Sequence, residues 1–208
     1  HSAVHLNHEL GAFPPVSGNH LQFYTDYKDS LQAVAEEIDR ARDYAHVQFY
    51  IVGDDPEYVG PVLSAMERAV ARGVKVRFLY DQLGSWRVKG YKELKRRLTD
   101  GGIEWYRMLP LAPFQWRWRR PDLRNHRKIV VVDGRVAFTG SLNLIEPGYK
   151  RKKSHELGRE WVEILARVEG PLVDHLDVVF ATDWNLESHE GIFDQLEGDD
   201  RDKPGTVT

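Results

Sequence analysis

The sequence predicts an α/β fold: a single lobe with a mixed parallel and antiparallel sheet flanked by helices. Three observations carry that expectation. A strand-like, a helix-like and a second strand-like run follow one another between Val47 and Tyr80. Two β-branched runs flank Asp133-Gly134, and an amphipathic run opens after Gly170-Pro171. The first is a βαβ unit, whose strands are parallel and joined by a right-handed crossover. The second is a hairpin signal, and the third has the opening residues of a closing helix.

In order, Asp29-Ser30-Leu31-Gln32 reads as a capping box. Leu31, Val34, Ala35, Ile38 and Ala41 then recur at helical spacing, which predicts a helix to about Tyr44. Val47 to Val52 is a short apolar run bounded by Gly53-Asp54-Asp55-Pro56, the pattern of a buried strand. Pro61 opens a second helix, with Val62, Leu63, Met66, Ala69 and Val70 on one face and Gly73 as its stop. Val74 to Tyr80 follows as a strand, Tyr91 to Leu98 as a helix ending at Gly101-Gly102, and Ile103 to Tyr106 as a short strand. Ile129 to Val132 and Val136 to Thr139 form the hairpin, and Trp161 to Val168 a final strand. Leu172, Val173, Leu176, Val179 and Phe180 mark the closing helix. The expected organisation is a lead-in strap over 1–19, the lobe over 20–187 and an acidic flexible tail over 188–208.

A chain of 208 residues with 41% hydrophobic content supports one sizeable core. With 29 basic against 32 acidic residues, total charge makes no case for nucleic acid as a partner. The absence of cysteine excludes disulfides and thiolate metal sites. His5 and His8 lack the further ligands that a zinc site of about four donors needs, so no metal is expected. No run reaches the roughly 18 apolar residues of a membrane span, so the chain is expected to be soluble as given.

The stretch from Asn125 to Asn143 carries the chemistry. His126 and Lys128 lie two apart, so on one strand they share a face. A two-residue turn at Asp133-Gly134 would pair Val132 with Arg135, Lys128 with Thr139 and His126 with Ser141, with Asn143 diagonally adjacent. Imidazole, ammonium, hydroxyl and carboxamide gathered in one patch suit a phosphodiester. Its transition state spreads negative charge over the phosphoryl oxygens and needs a nucleophile, an acid and fixed positive charge. No cofactor is required. Singly, each of these residues reads more readily as structure than as chemistry, and Asp133 is as well explained by turn chemistry as by function.

His126-x-Lys128-x-x-x-x-Asp133 followed by Gly140-Ser141-x-Asn143 resembles the HKD motif of the phospholipase D superfamily. Tyr50 with Asp54-Asp55, Arg72-Gly73-Val74-x-Val76-Arg77 and Tyr80-Asp81-x-x-Gly84-Ser85 resemble the segments before that motif in bacterial cardiolipin synthases. Trp161-x-Glu163, Glu169-Gly170-Pro171 and Phe180-x-x-Asp183-Trp184 resemble those after it, and Ser141 to Pro147 resembles actinobacterial members. The likeness runs over roughly residues 20 to 186. It implies a phospholipase D-type lobe in which His126 attacks phosphorus to form a phosphohistidine, while Lys128, Ser141 and Asn143 hold phosphoryl oxygens. Asp133 completes the motif and is expected with His126 and Lys128 among the catalytic residues, and Glu163, in competition with Glu160 and Glu156, orients the imidazole.

The implied reaction transfers a phosphatidyl group from one phosphatidylglycerol to another, releasing glycerol. The family's complete site uses two HKD motifs, and no other histidine here has a lysine two residues on. The partner is therefore expected to be a second HKD half in a longer chain, or a second copy of this one as a homodimer. The parent protein is expected at the cell membrane, on anionic phospholipid. Trp116, Arg117, Trp118, Arg119 and Arg120 interleave aromatics with cations and suit a headgroup belt, or equally a capped aromatic loop. Two other functions compete: a dimeric phosphodiesterase or nuclease, told apart by salt-sensitive DNA cleavage, and an inert lipid-docking half that binds vesicles without turnover.

Overall fold

A computed structural model of the chain describes residues 13–88, 90–110, 124–149 and 151–192. Among these, seven strands form one sheet: β1 (His20–Tyr24), β2 (Tyr44–Phe49), β3 (Lys75–Asp81), β4 (Glu104–Met108), β5 (Ile129–Val132), β6 (Val136–Gly140) and β7 (Leu165–Glu169). Their spatial order is β1-β7-β6-β5-β2-β3-β4. β2, β3 and β4 run parallel, as crossover connections require, and β2-β5, β5-β6, β6-β7 and β1-β7 are antiparallel. The expected mixed sheet is present.

One face carries helices α1 (Tyr27–Asp39), α2 (Gly60–Ala71) and α4 (Tyr91–Asp100), the other the long α6 (Leu172–Ser188), and the short α3 (Gln82–Ser85) and α5 (Lys152–Glu156) lie in connections between strands. Because successive strand residues point to opposite faces, Val130 and Val132 join the α1/α2 core while Ile129 and Val131 pack under α6. That double burial explains why the hairpin strands read as unbroken apolar runs. α6 seats Phe180 and Trp184, both fully buried, and each contributes on the order of 1.5–3 kcal/mol relative to an exposed position.

Several boundaries differ from the sequence expectation, each for a physical reason. The cap of α1 is Asp26, not Asp29, because its carboxylate accepts from the Lys28 and Asp29 N–H groups at 2.8 and 2.9 Å. α1 also stops at Asp39 rather than Tyr44. The carboxylate of Asp133 accepts from the backbone N–H groups of Arg42, Asp43 and Tyr44 at 2.9–3.0 Å, drawing that stretch into the start of β2. The last strand begins at Leu165, and residues 161–164 lie outside it. β1, which patterning missed, is an edge strand with four exposed residues and so lacks an apolar period.

The hairpin register is also corrected. Asp133 and Gly134 both take positive φ, and the Arg135 N–H donates to Val132 C=O at 3.0 Å, so the tight turn exists. Arg135 is nevertheless an extra residue: Val132 pairs with Val136 and Ile129 with Thr139, one step away from the expected pairing. Its guanidinium reaches out to Glu37 at 2.7 Å, a buried carboxylate on α1 that also holds Arg167. A bulge of this kind moves every pairing beyond it by one.

Candidate active site

The site lies where β5 begins beside the exit of β2, with Ile129 paired to Gln48. His126 and Lys128 are not on the strand but in the extended segment that feeds it. Two anchors fix that segment. Asp183 on α6 accepts from Asn125 Nδ2 at 2.7 Å, from Arg127 Nη1 at 2.9 Å to both oxygens, and from Gln48 Nε2 at 2.8 Å. His126 thus sits between two residues tied to one buried carboxylate.

The second anchor is a ring. Tyr50, just past β2, stacks on the His126 imidazole with centroids 3.7 Å apart, and Lys128 Nζ lies 5.7 Å from the same ring. Tyr50 is held in turn by the turn-like α3 (Gln82–Ser85). Asp81 caps α3 by accepting from Leu83 and Gly84 N–H groups at 2.8 and 3.0 Å, and Ser85 Oγ donates to the Tyr50 carbonyl at 3.4 Å. A Cβ on Gly84 would stand 2.5 Å from that carbonyl, so only glycine fits. The Asp81-x-x-Gly84-Ser85 signature therefore sets the floor beneath His126.

Lys128 Nζ donates to the His126 carbonyl at 2.7 Å. Burial, reinforced by the Lys128 charge, lowers the imidazole below its ordinary 6.5, against a smaller opposing pull from Asp81. His126 is therefore neutral, with a lone pair, at pH 7. Burial likewise lowers Lys128 from its ordinary 10.5, and the Glu163 carboxylate opposes this by favouring the ammonium form.

Asn143 is buried and fully oriented. Its Oδ1 accepts from the Ile51 N–H at 3.0 Å, and its Nδ2 donates to Tyr149 Oη at 3.0 Å. Tyr149 donates onward to Glu163 Oε1 at 2.8 Å. Ser141 Oγ accepts from the Ile164 N–H at 3.0 Å, and Gly140 permits this, since a Cβ there would run into the Ile164 carbonyl.

The structure thus brings His126, Lys128, Asn143 and Glu163 into one connected patch, with Ser141 bonded to the residue after Glu163. It does not bring Asp133, which lies at the far end of β5, where backbone N–H groups take its carboxylate. Nor does Glu163 touch the imidazole; among the described residues its carboxylate is taken by Tyr149. Glu160 and Glu156 are exposed. Trp116, Arg117, Trp118, Arg119 and Arg120 lie outside the described residues, as do His5 and His8. Sequence reasoning gave no site role to Tyr149, Tyr50 or Asp183; the latter two stood only as points of family likeness, and Tyr149 carried no signal.

Fold and site together define a phospholipase D-type lobe. Residues 34–184 match the family model described as cardiolipin synthase, PLD-like domain, and the chain belongs to that family. It is 38% identical over 178 residues to cardiolipin synthase A of Proteus mirabilis, covering 84% of this chain and 35% of that protein. Against cardiolipin synthase A of Yersinia pestis it is 37% identical over 179 residues, covering 85% and 36%. The chain therefore spans about a third of the length of these curated relatives. Among solved structures, Nuc of Salmonella typhimurium, a phospholipase D family member, shares the fold at a TM-score of 0.57 and 19% identity over 81% of this chain and 96% of Nuc. NucT of Helicobacter pylori does so at 0.59 and 13%, over 81% and 98%.

Proposed function

We propose that this chain supplies one half of a cardiolipin-forming phosphatidyltransferase site, with His126 as its nucleophile. A neutral imidazole nitrogen attacks phosphorus of phosphatidylglycerol, an N–P bond forms, and the P–O bond to glycerol breaks. The glycerol oxygen leaves with a proton from a second histidine, which belongs to the other HKD half. That histidine then takes the proton from a hydroxyl of a second phosphatidylglycerol, whose oxygen attacks phosphorus and releases His126. Lys128 neutralises the phosphoryl oxygens, Asn143 and Ser141 donate neutral hydrogen bonds to them, and Glu163 supports the Lys128 cation.

The observation that carries this reading is the His126 ring itself: stacked on Tyr50, exposed, beside a cation, with no hydrogen bond to its nitrogens among the described residues. The other half is a second HKD lobe in the same longer protein or a second copy of this chain, working at an anionic phospholipid surface. Among the described residues no helix is long and apolar enough to cross a membrane.

The test is phosphoenzyme trapping with radiolabelled phosphatidylglycerol in the full-length protein. His126→Asn should lower intermediate formation by at least about 1,000-fold with an unchanged melting temperature, and the isolated chain should be inactive unless it pairs. A labelled intermediate retained in His126→Asn would place the nucleophile elsewhere.

A further inference from the structure

Tyr149 stands in the site without an assigned role. The Ile51 N–H bonded to Asn143 Oδ1 fixes which end of the carboxamide is oxygen, so Nδ2 must face Tyr149. The Tyr149 oxygen then accepts, and its single proton is left for Glu163. The line Ile51, Asn143, Tyr149, Glu163 therefore has one direction and no alternative arrangement of protons while Glu163 is ionised. One Asn143 N–H is spent on Tyr149. The second makes no hydrogen bond with the described residues and is the one free to meet a phosphoryl oxygen.

The backbone is bent to achieve this. Tyr149 has φ +58°, left-handed for a residue with a large side chain, and such strain persists only where the surroundings enforce it. Enforcement is visible on each side. The Tyr149 N–H donates to Glu146 C=O at 2.9 Å, the Trp161 N–H closes the loop onto Pro147 C=O at 3.0 Å, and the Trp161 ring lies 5.6 Å from that of Tyr149. Tyr27 Oη donates to the Asn143 carbonyl at 3.2 Å and steadies the backbone of the same residue. Burial, with Glu163 adding to it, raises the Tyr149 phenol, so it stays protonated and donating across the working pH range.

We propose that Tyr149 is a positioning residue for phosphoryl transfer, its hydroxyl coupling the Asn143 carboxamide to the Glu163 carboxylate so that the free Asn143 N–H is aimed before substrate arrives. The proposal rests on the functional reading above. Aiming of this kind acts on the transition state more than on ground-state binding, because charge on the phosphoryl oxygens grows during transfer.

Full-length protein carrying Tyr149→Phe, Glu163→Gln or both would be assayed for phosphatidylglycerol turnover beside His126→Asn. Tyr149→Phe should lower kcat about tenfold with KM within about twofold, and the double variant should be no slower than the slower single one, as for groups acting as one unit. Unchanged kcat, or losses that multiply, would overturn the proposal while leaving His126 in place. Full turnover by His126→Asn would instead remove the functional reading, and the proposal with it. Independently of turnover, the side-chain amide resonances of Asn143 in the 15N-labelled chain should move in Tyr149→Phe; resonances that stay put would also overturn it.

Discussion

Two histidines in this sheet sit in opposite circumstances. His46, on β2, is 1% exposed, with Nδ1 2.7 Å from Asp177 and Nε2 3.2 Å from Arg77, its ring stacked on Phe180 at 4.5 Å. His126 has a tyrosine beneath it, a cation beside it and no carboxylate on its ring. By distance alone His46-Asp177 is the better imidazole-carboxylate pair. Both of its ring nitrogens are already used, however, and Asp177 is shared with Tyr44 Oη at 2.6 Å. A satisfied, enclosed histidine cements a helix to a sheet. One with an open lone pair at the surface is available for bond making.

The comparison is broken most forcefully by removing the carboxylate. Asp177→Ala leaves a buried imidazole N–H and the Tyr44 hydroxyl without their acceptor, and should cost about 2–5 kcal/mol of stability in urea unfolding. Phosphoenzyme formation per folded molecule should persist; its loss at unchanged stability would make His46 a chemical group after all. A smaller effect is expected on the other side. Gly84→Ala pushes a Cβ against the Tyr50 carbonyl and shifts the ring under His126, lowering kcat roughly tenfold or more. Wild-type kcat in that variant would show that the stacked ring has no part in aiming the nucleophile.

The smallest effect is on pH dependence. Burial lowers His46 below its ordinary 6.5, with Arg77 adding to this and Asp177 and Glu104 opposing it. As pH falls through 6.5 the unfolded chain takes a proton that the folded chain refuses, so stability declines until the folded value is reached, by at most about 1.4 kcal/mol per pH unit. His46→Gln should flatten that decline, and His126→Asn should flatten it as well, because the folded chain holds both imidazoles below 6.5. Equal slopes in wild type and His46→Gln would mean that the His46-Asp177 pair accepts the proton without cost.

The framework was legible in the sequence because its signals are local. β-branched runs, the Asp133-Gly134 turn and the helical periods of α2 and α6 each follow from neighbouring residues. The motif residues were legible through spacing and family likeness. What was not legible depends on partners far along the chain. Arg135 bulges toward Glu37, Asp133 is spent on the entry to β2, and Tyr149 becomes meaningful only once Asn143 and Glu163 lie beside it. β1 escaped because an exposed edge strand needs no apolar alternation.

The Asp183 clamp has a temporal consequence. Its carboxylate lies 58 residues after Asn125 and 56 after Arg127, so during vectorial synthesis the HKD segment leaves the ribosome well before its fastener does. Until the final helix docks, the His126 segment has only the Tyr50 ring to hold it, and contacts of such long sequence separation form late. The imidazole proposed as nucleophile thereby gains its other anchor at the end of folding, after the surrounding sheet has closed.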